Sequence, residues 1–222
     1  LIQPDLGTTL ITISSFLFMI FLYGADMKPI WVIGIVVLLS VYPVYRFVLD
    51  DYQRDRVETF LHPEKDRKGS GWHVIQSKIS VGAGGIMGKG VLQGSQSRLE
   101  FLPEAQTDFV FSIVIEELGF IGASLILALL FFLILRIILV GIRARDPFNS
   151  MMALGVGGML LMQTFINIGG ISGLIPSTGV TFPFLSQGGN SLLVLSVGIA
   201  IVLNIDANEK RHNINRVIEE SM

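Results

Sequence analysis

An all-α, polytopic membrane fold is what this 222-residue sequence predicts. Three observations point to it. Hydrophobic residues make up 51% of the chain and charged residues only 15%, against roughly 25% charged in a soluble domain. The apolar residues gather in runs near the roughly 20 residues that cross a bilayer core. The stretch 147–205 contains no Lys, Arg, His, Asp or Glu. The mean hydropathy of +0.64 agrees with all three.

The spans follow in order. Residues 6–25 are uncharged and mostly apolar, giving a first span, and Lys28 marks the turn after it. Residues 30–49 give a second, with Arg46 close enough to its end to snorkel. From Asp50 to Asp108 the chain turns polar and glycine-rich, with no spanning run. Residues 109–142 form a third, very long helix. The uncharged stretch that follows is too long for one helix, and "GGISGLIPSTGVTFPFLSQGGN" interrupts it with glycines and prolines. Spans four and five therefore cover 151–168 and 191–205. The chain is read as one membrane domain over 1–222, with a large structured outer loop at 50–108. It starts at Leu1 in mid-motif, as a piece of a longer protein would.

Basic residues orient the spans. Lys28, the group Arg136, Arg143 and Arg145, and the group Lys210, Arg211 and Arg216 all fall on one side. That side is the expected cytoplasmic face, so the loop 50–108 lies outside. It contains "WHVIQSKISVGAGGIMGKGVLQ", whose aromatic and branched residues can pack, so it is expected to be ordered against the membrane mouth.

The chemistry-bearing residues collect at that mouth. Glu100, Glu104, Asp108, Glu116 and Glu117 precede or enter the third span, and Lys78, Lys89, Arg98, Arg54 and Arg56 stand nearby. A carboxylate can take a proton from a hydroxyl, and cations can hold a diphosphate leaving group. Thr107 or Asp108 could instead cap the third span. Glu116 and Glu117 lie about 12 Å deeper by helix rise, where partner helices or polar groups are the expected neighbours. The glycine run lacks the Ser or Thr that a phosphate loop needs after Gly88-Lys89, so tight turns are expected there. His62, His73 and His212 are scattered without metal-ligand spacing, and the absence of cysteine excludes disulfides and thiolate metal sites. Gly155, Gly157 and Gly158 in span four permit close helix approach.

The segments "QPDLGT", "DYQRDRV", "GWHVIQSKISVGAGG", "GKGVLQGSQSRLEFLPEAQTDFVF", "EELGFIG" and "FPFLSQGGNSLL" together resemble the SEDS family of cell-wall proteins (shape, elongation, division and sporulation). "IQSKI" and "SQSRLEFLPE" are closer to its rod-shape branch than to its division branch. The resemblance covers almost the whole chain and implies the last five of ten transmembrane helices.

It also implies a peptidoglycan glycosyltransferase in the bacterial cytoplasmic membrane, polymerising lipid II at the outer face beside a class B penicillin-binding protein. The family's essential aspartate matches Asp108, as general base, and its flanking acid matches Glu100. The substrate-binding residues expected from the matched motifs are Glu100, Glu104, Lys78, Arg98, Gln76, Ser97, Thr107, Arg56, Asp5, Ser186 and Asn190. Gln106 stands where the family often has His, Gln187 where it often has Tyr, and Thr178 where some division-type members carry a basic residue. The implied ligands are lipid II, an undecaprenyl-diphosphate-linked glycan and membrane lipids, not nucleic acid. A divalent cation, Mg or Mn, can bridge the diphosphate and an acid. The family is expected to seat its transpeptidase on spans three and four, where the glycines suggest a docking face. A lipid II flippase and a non-catalytic scaffold are the competing readings; the first calls for polar residues at mid-span, the second for a dispensable Asp108.

Overall fold

The computed structural model describes residues 6–24, 26, 28–47, 54, 58–63, 70–94, 107–176 and 178–220. These hold six long helices and no strand. They are α1 (Leu6–Tyr23), α2 (Lys28–Phe47), α3 (Ser70–Gly84), α4 (Val110–Arg143), α5 (Pro147–Ser172) and α6 (Gly189–Glu220). Among the described residues, three stretches are long and apolar enough to cross a membrane: α4, α5 and Gly189–His212 of α6. The chain is a multi-pass membrane protein. α3 lies inside the region expected as an outer loop.

Helix α5 is the centre of the bundle, packed by α1 on one side and α4 on the other. Its ends are defined locally. Asp146 accepts a hydrogen bond from the Asn149 backbone N–H at 3.1 Å, and Pro147 follows at the first helical position. At the other end Gly173 adopts φ 67°, the left-handed conformation that closes a helix. Small residues let the neighbours in. A Cβ on Gly157 would come within 3.0 Å of Ile138, and one on Gly158 within 3.2 Å of Phe18 and of the Ser15 carbonyl. These glycines are therefore spent on packing α4 and α1. The expectation that they form a face for an external partner is corrected: Gly157 and Gly158 are buried within this chain. Ala153, Leu154 and Leu160 of α5 are equally buried, and Ala153 and Leu160 form one core with Ile134 and Ile137 of α4 and Leu195, Val202 and Ile205 of α6.

The third apolar run is not one continuous helix. Gly119 has φ 68° and ψ −172°, a conformation close to glycine-only, and it breaks α4 after Leu118. The glycine-rich turn after α3 fills the break. Lys89 N–H donates to the Glu116 carbonyl and Gly90 N–H to the Glu117 carbonyl, each at 2.9 Å. In return Phe120 N–H donates to Gly85 at 2.9 Å and Ile121 N–H to Ile86 at 3.2 Å. The backbone groups that the break releases are thus paired. The sequence missed this because the run 109–142 reads as an uninterrupted span even with Gly119, Gly122 and Gly141 in it.

Candidate functional site

The end of the bundle that carries Asp108 also gathers the C-terminus of α5, the start of α4, α3 and the loop from Gly173 to Gly188. The cap reading for this end is corrected in position: Phe109, rather than Thr107 or Asp108, occupies the N-cap position of α4, and its own side chain makes no capping hydrogen bond. Asp108 is half-buried just before it. Its main chain is held from α5. The Asn167 side-chain amide donates to the Asp108 carbonyl at 2.8 Å and to the Val180 carbonyl at 2.6 Å. One side chain, 4% exposed, thus ties three segments together. Both bonds run to carbonyl oxygens, so the amide nitrogen is the atom facing them and Oδ1 faces away.

A second clasp lies one residue earlier. The Ser186 hydroxyl donates to the Thr107 carbonyl and accepts from Phe182 N–H. Phe182 then stacks on Phe111 with centroids 4.5 Å apart and planes 5° off parallel. The last loop is therefore packed onto the first turn of α4, although the two are about 70 residues apart in the sequence. The Asp108 carboxylate points toward this loop: a Cβ on Gly179 would lie 3.5 Å from Oδ2. A cavity of about 20 Å³ sits here, lined by Asp108, Asn167, Gly170, Thr178, Gly179 and Val180 among others. It has room for about one water.

Lys78 comes to the same end of α5. A Cβ on Gly173 would overlap its Cε and Nζ, so the ammonium lies over the helix C-terminus, where the helix dipole favours a cation. Lys78 is exposed. Its neighbour Ser77 turns inward, donating to the Ile171 carbonyl at 3.1 Å and pairing with the Ser112 hydroxyl at 2.6 Å. Gln76 is buried on the same side. Asn190 starts α6 and lines a separate groove of about 400 Å³ with Thr8, Thr12, Gln163, Thr181 and Ser191. Gly179 and Val180 line both spaces and stand between them.

Of the residues expected at the site, the structure brings Thr107, Asp108 and Ser186 together, sets Lys78 over the same end of α5, buries Gln76 in α3 and places Asn190 at the neighbouring groove. Asp5, Arg56, Ser97, Arg98, Glu100 and Glu104 lie outside the described residues. No group of three His, Asp or Glu among the described residues could hold a metal ion, so these residues do not by themselves fit the divalent cation. Asn167 was missed. Its signal is a polar residue inside the uncharged run "FINIGG", which marks a buried polar contact without naming the partner.

Comparison with known proteins settles the family. Residues 1–211 match the family model described as "Cell cycle protein", that of FtsW, RodA and SpoVE. The chain belongs to this family. It is 45% identical over 208 residues to the peptidoglycan glycosyltransferase MrdB of Escherichia coli K12, covering 94% of this chain and 56% of that protein. It is 46% identical over 231 residues to a probable peptidoglycan glycosyltransferase FtsW of Lactococcus lactis, covering 98% and 54%. The chain thus spans about half the length of the curated relatives it matches. Among solved structures, one of a peptidoglycan synthase complex that coordinates polymerization and crosslinking matches with TM-score 0.74 and 28% identity, covering 94% of this chain and 57% of that one. The rod shape determining protein RodA of Thermus thermophilus shares the fold, at TM-score 0.58 and 23% identity over 93% and 51% of the two chains.

Proposed function

We propose that the protein containing this chain polymerises lipid II into β-1,4 glycan strands at the outer face of the bacterial cytoplasmic membrane, with Asp108 as general base. The observation that carries this is the clamping of Asp108 by Asn167 at one end of the bundle, with the Lys78 ammonium over the terminus of the same helix, α5. The names of the relatives support the activity. The basic residues Arg136, Arg143 and Lys210 at the opposite end support an outward-facing site.

The reaction needs few parts. The 4-hydroxyl of the acceptor sugar attacks the anomeric carbon of a glycan linked to undecaprenyl diphosphate. Asp108 receives the hydroxyl proton, the new C–O bond forms, and the bond to the diphosphate oxygen breaks. One displacement inverts an α-linked donor to a β product. Diphosphate leaves readily, and Lys78 offsets its charge. Asp108 is half-buried and backbone-clamped, so it meets the hydroxyl in a fixed position. No step is routed through a metal; a divalent cation held by Asp108 with Glu100 or Glu104 is the alternative source of positive charge. The partner is a class B penicillin-binding protein, supported by the solved complex that couples polymerization to crosslinking. Apart from Ser150 in the first turn, the buried polar residues of α5, Gln163, Thr164 and Asn167, lie in its last ten residues on the Asp108 side, which suits surface chemistry better than transport across the bilayer.

The test is Asp108→Asn in the full-length protein with its partner, followed by glycan-chain formation from lipid II. Asn keeps the shape but cannot accept the proton, so turnover drops by roughly 10²–10⁴-fold. Near-normal polymerisation removes Asp108 from the chemistry and favours the scaffold reading.

A further inference from the structure

The glycine-rich turn that fills the break in α4 has a second property. Its four large apolar side chains, Ile86, Met87, Val91 and Leu92, are between 64% and 79% exposed. Leu92 holds φ 62°, a conformation costly for a bulky residue. In water such a cluster is unfavourable. We propose that this turn is a wedge inserted into the outer leaflet, and that the acyl chains of the lipid bilayer cover Ile86, Met87, Val91 and Leu92.

Depth is the first argument. The hydrogen bonds from Phe120 and Ile121 to Gly85 and Ile86 fix the turn at the level of the upper part of α4. Ile121 lies about 33 Å from Arg143 by helix rise, close to the roughly 30 Å of a hydrocarbon core. With Arg143 at one headgroup layer, the turn sits at the opposite boundary of the hydrocarbon.

Continuity is the second argument. Phe120 and Ile121 are exposed beside the turn, and Leu125, Leu129 and Phe132 continue the exposed surface along the span. The wedge extends the exposed apolar surface of the span.

The polar groups are the third argument. Irregular backbone is tolerated at membrane depth only where protein satisfies it. Here Lys89, Gly90, Gly85 and Ile86 pair their main chains with α4, and Gly88 N–H donates to Gly84 at 2.8 Å. The one charge in the turn is returned to the protein: Lys89 Nζ lies 2.8 Å from Glu116 Oε1, and Glu116 is fully buried. Three glycines make the fit possible, since a Cβ on Gly84, Gly88 or Gly119 would overlap the facing backbone. The chain toward Arg98, Glu100 and Glu104 leaves from Gly94, which packs on the Glu116 carboxylate. The wedge thereby sets the height of that segment's starting point above the outer leaflet.

The test uses Met87→Cys, at an exposed position, in a chain segment without native cysteine. The full-length protein, with any cysteines outside this segment replaced, is spin-labelled and placed in nanodiscs of phosphatidylglycerol and phosphatidylethanolamine. Collision with oxygen, which partitions into lipid, is expected to exceed collision with the water-soluble nickel chelate severalfold. A Gln93→Cys label serves as the local comparison. Preferential collision with the nickel chelate at position 87 overturns the proposal in favour of an aqueous loop. Low accessibility to both reagents also overturns it, in favour of a protein partner. The readout does not depend on catalysis, so it stands apart from the result for Asp108.

Discussion

Replacing Asn167 by Asp keeps the side chain's shape and removes its amide protons. In the structure those protons serve the Asp108 carbonyl at 2.8 Å and the Val180 carbonyl at 2.6 Å, at a residue only 4% exposed. Water has little access to replace them. Each stranded buried carbonyl costs about 1–3 kcal/mol, so the pair costs about 2–6 kcal/mol. An ionised carboxylate facing two carbonyl oxygens raises the cost further; if it protonates instead, one donor returns and the cost falls to about 1–3 kcal/mol. Even the lower figure, at roughly 1.4 kcal/mol per decade, corresponds to about a fivefold or greater shift away from the clamped position of Asp108. Turnover should therefore fall at least about fivefold. The assay is lipid II polymerisation by the full-length protein with its partner, together with a thermal melt in detergent. The pair of readouts separates this variant from Asp108→Asn. The latter leaves the backbone clamp intact and should lose turnover with little change in melting. Asn167→Asp should lose both. Wild-type melting and wild-type turnover in Asn167→Asp would refute the claim that this amide positions Asp108.

Lys78→Met removes the ammonium at the α5 terminus; loss of one charge-assisted contact of about 1.5–3 kcal/mol should lower polymerisation by roughly 10- to 100-fold, and added magnesium should not restore it. Restoration by magnesium would assign the diphosphate to a metal ion instead. Gly119→Ala forces a Cβ into a conformation that costs about 1–3 kcal/mol and onto the Gly88 backbone, so the protein should melt at lower temperature, read against Gly34→Ala, where a Cβ meets nothing within 4 Å. Orientation is read by cysteine labelling at Gln93 and His212, both exposed; an impermeant thiol reagent on protoplasts should modify position 93 and spare 212, and the reverse pattern would invert the proposed topology.

Composition and the uncharged runs were enough for an all-helical membrane fold, because hydrocarbon leaves a chain few ways to satisfy its backbone and helix is the local one. The motif around "LPEAQTDF" singled out Asp108 as the candidate base, and "GLIPSTG" announced the end of α5, since glycine and proline act through their own backbone geometry. These are properties that residues carry with them. Packing partners are not. That Gly157 and Gly158 serve α4 and α1 rather than an outside partner depends on which helices surround α5, and the sequence spacing is the same in either case. The uses of Asn167 and Glu116 were hidden for the same reason. Each is a polar residue within a predicted span, and its partners, Asp108 and Val180 for one and Lys89 for the other, lie 13 to 59 positions away in the chain. The break at Gly119 is the clearest division between the two sources. Sequence supplies a glycine that permits the conformation, but a helix gives up its hydrogen bonds only where other donors and acceptors replace them, and here those come from a turn about 30 residues upstream that only the tertiary fold brings alongside.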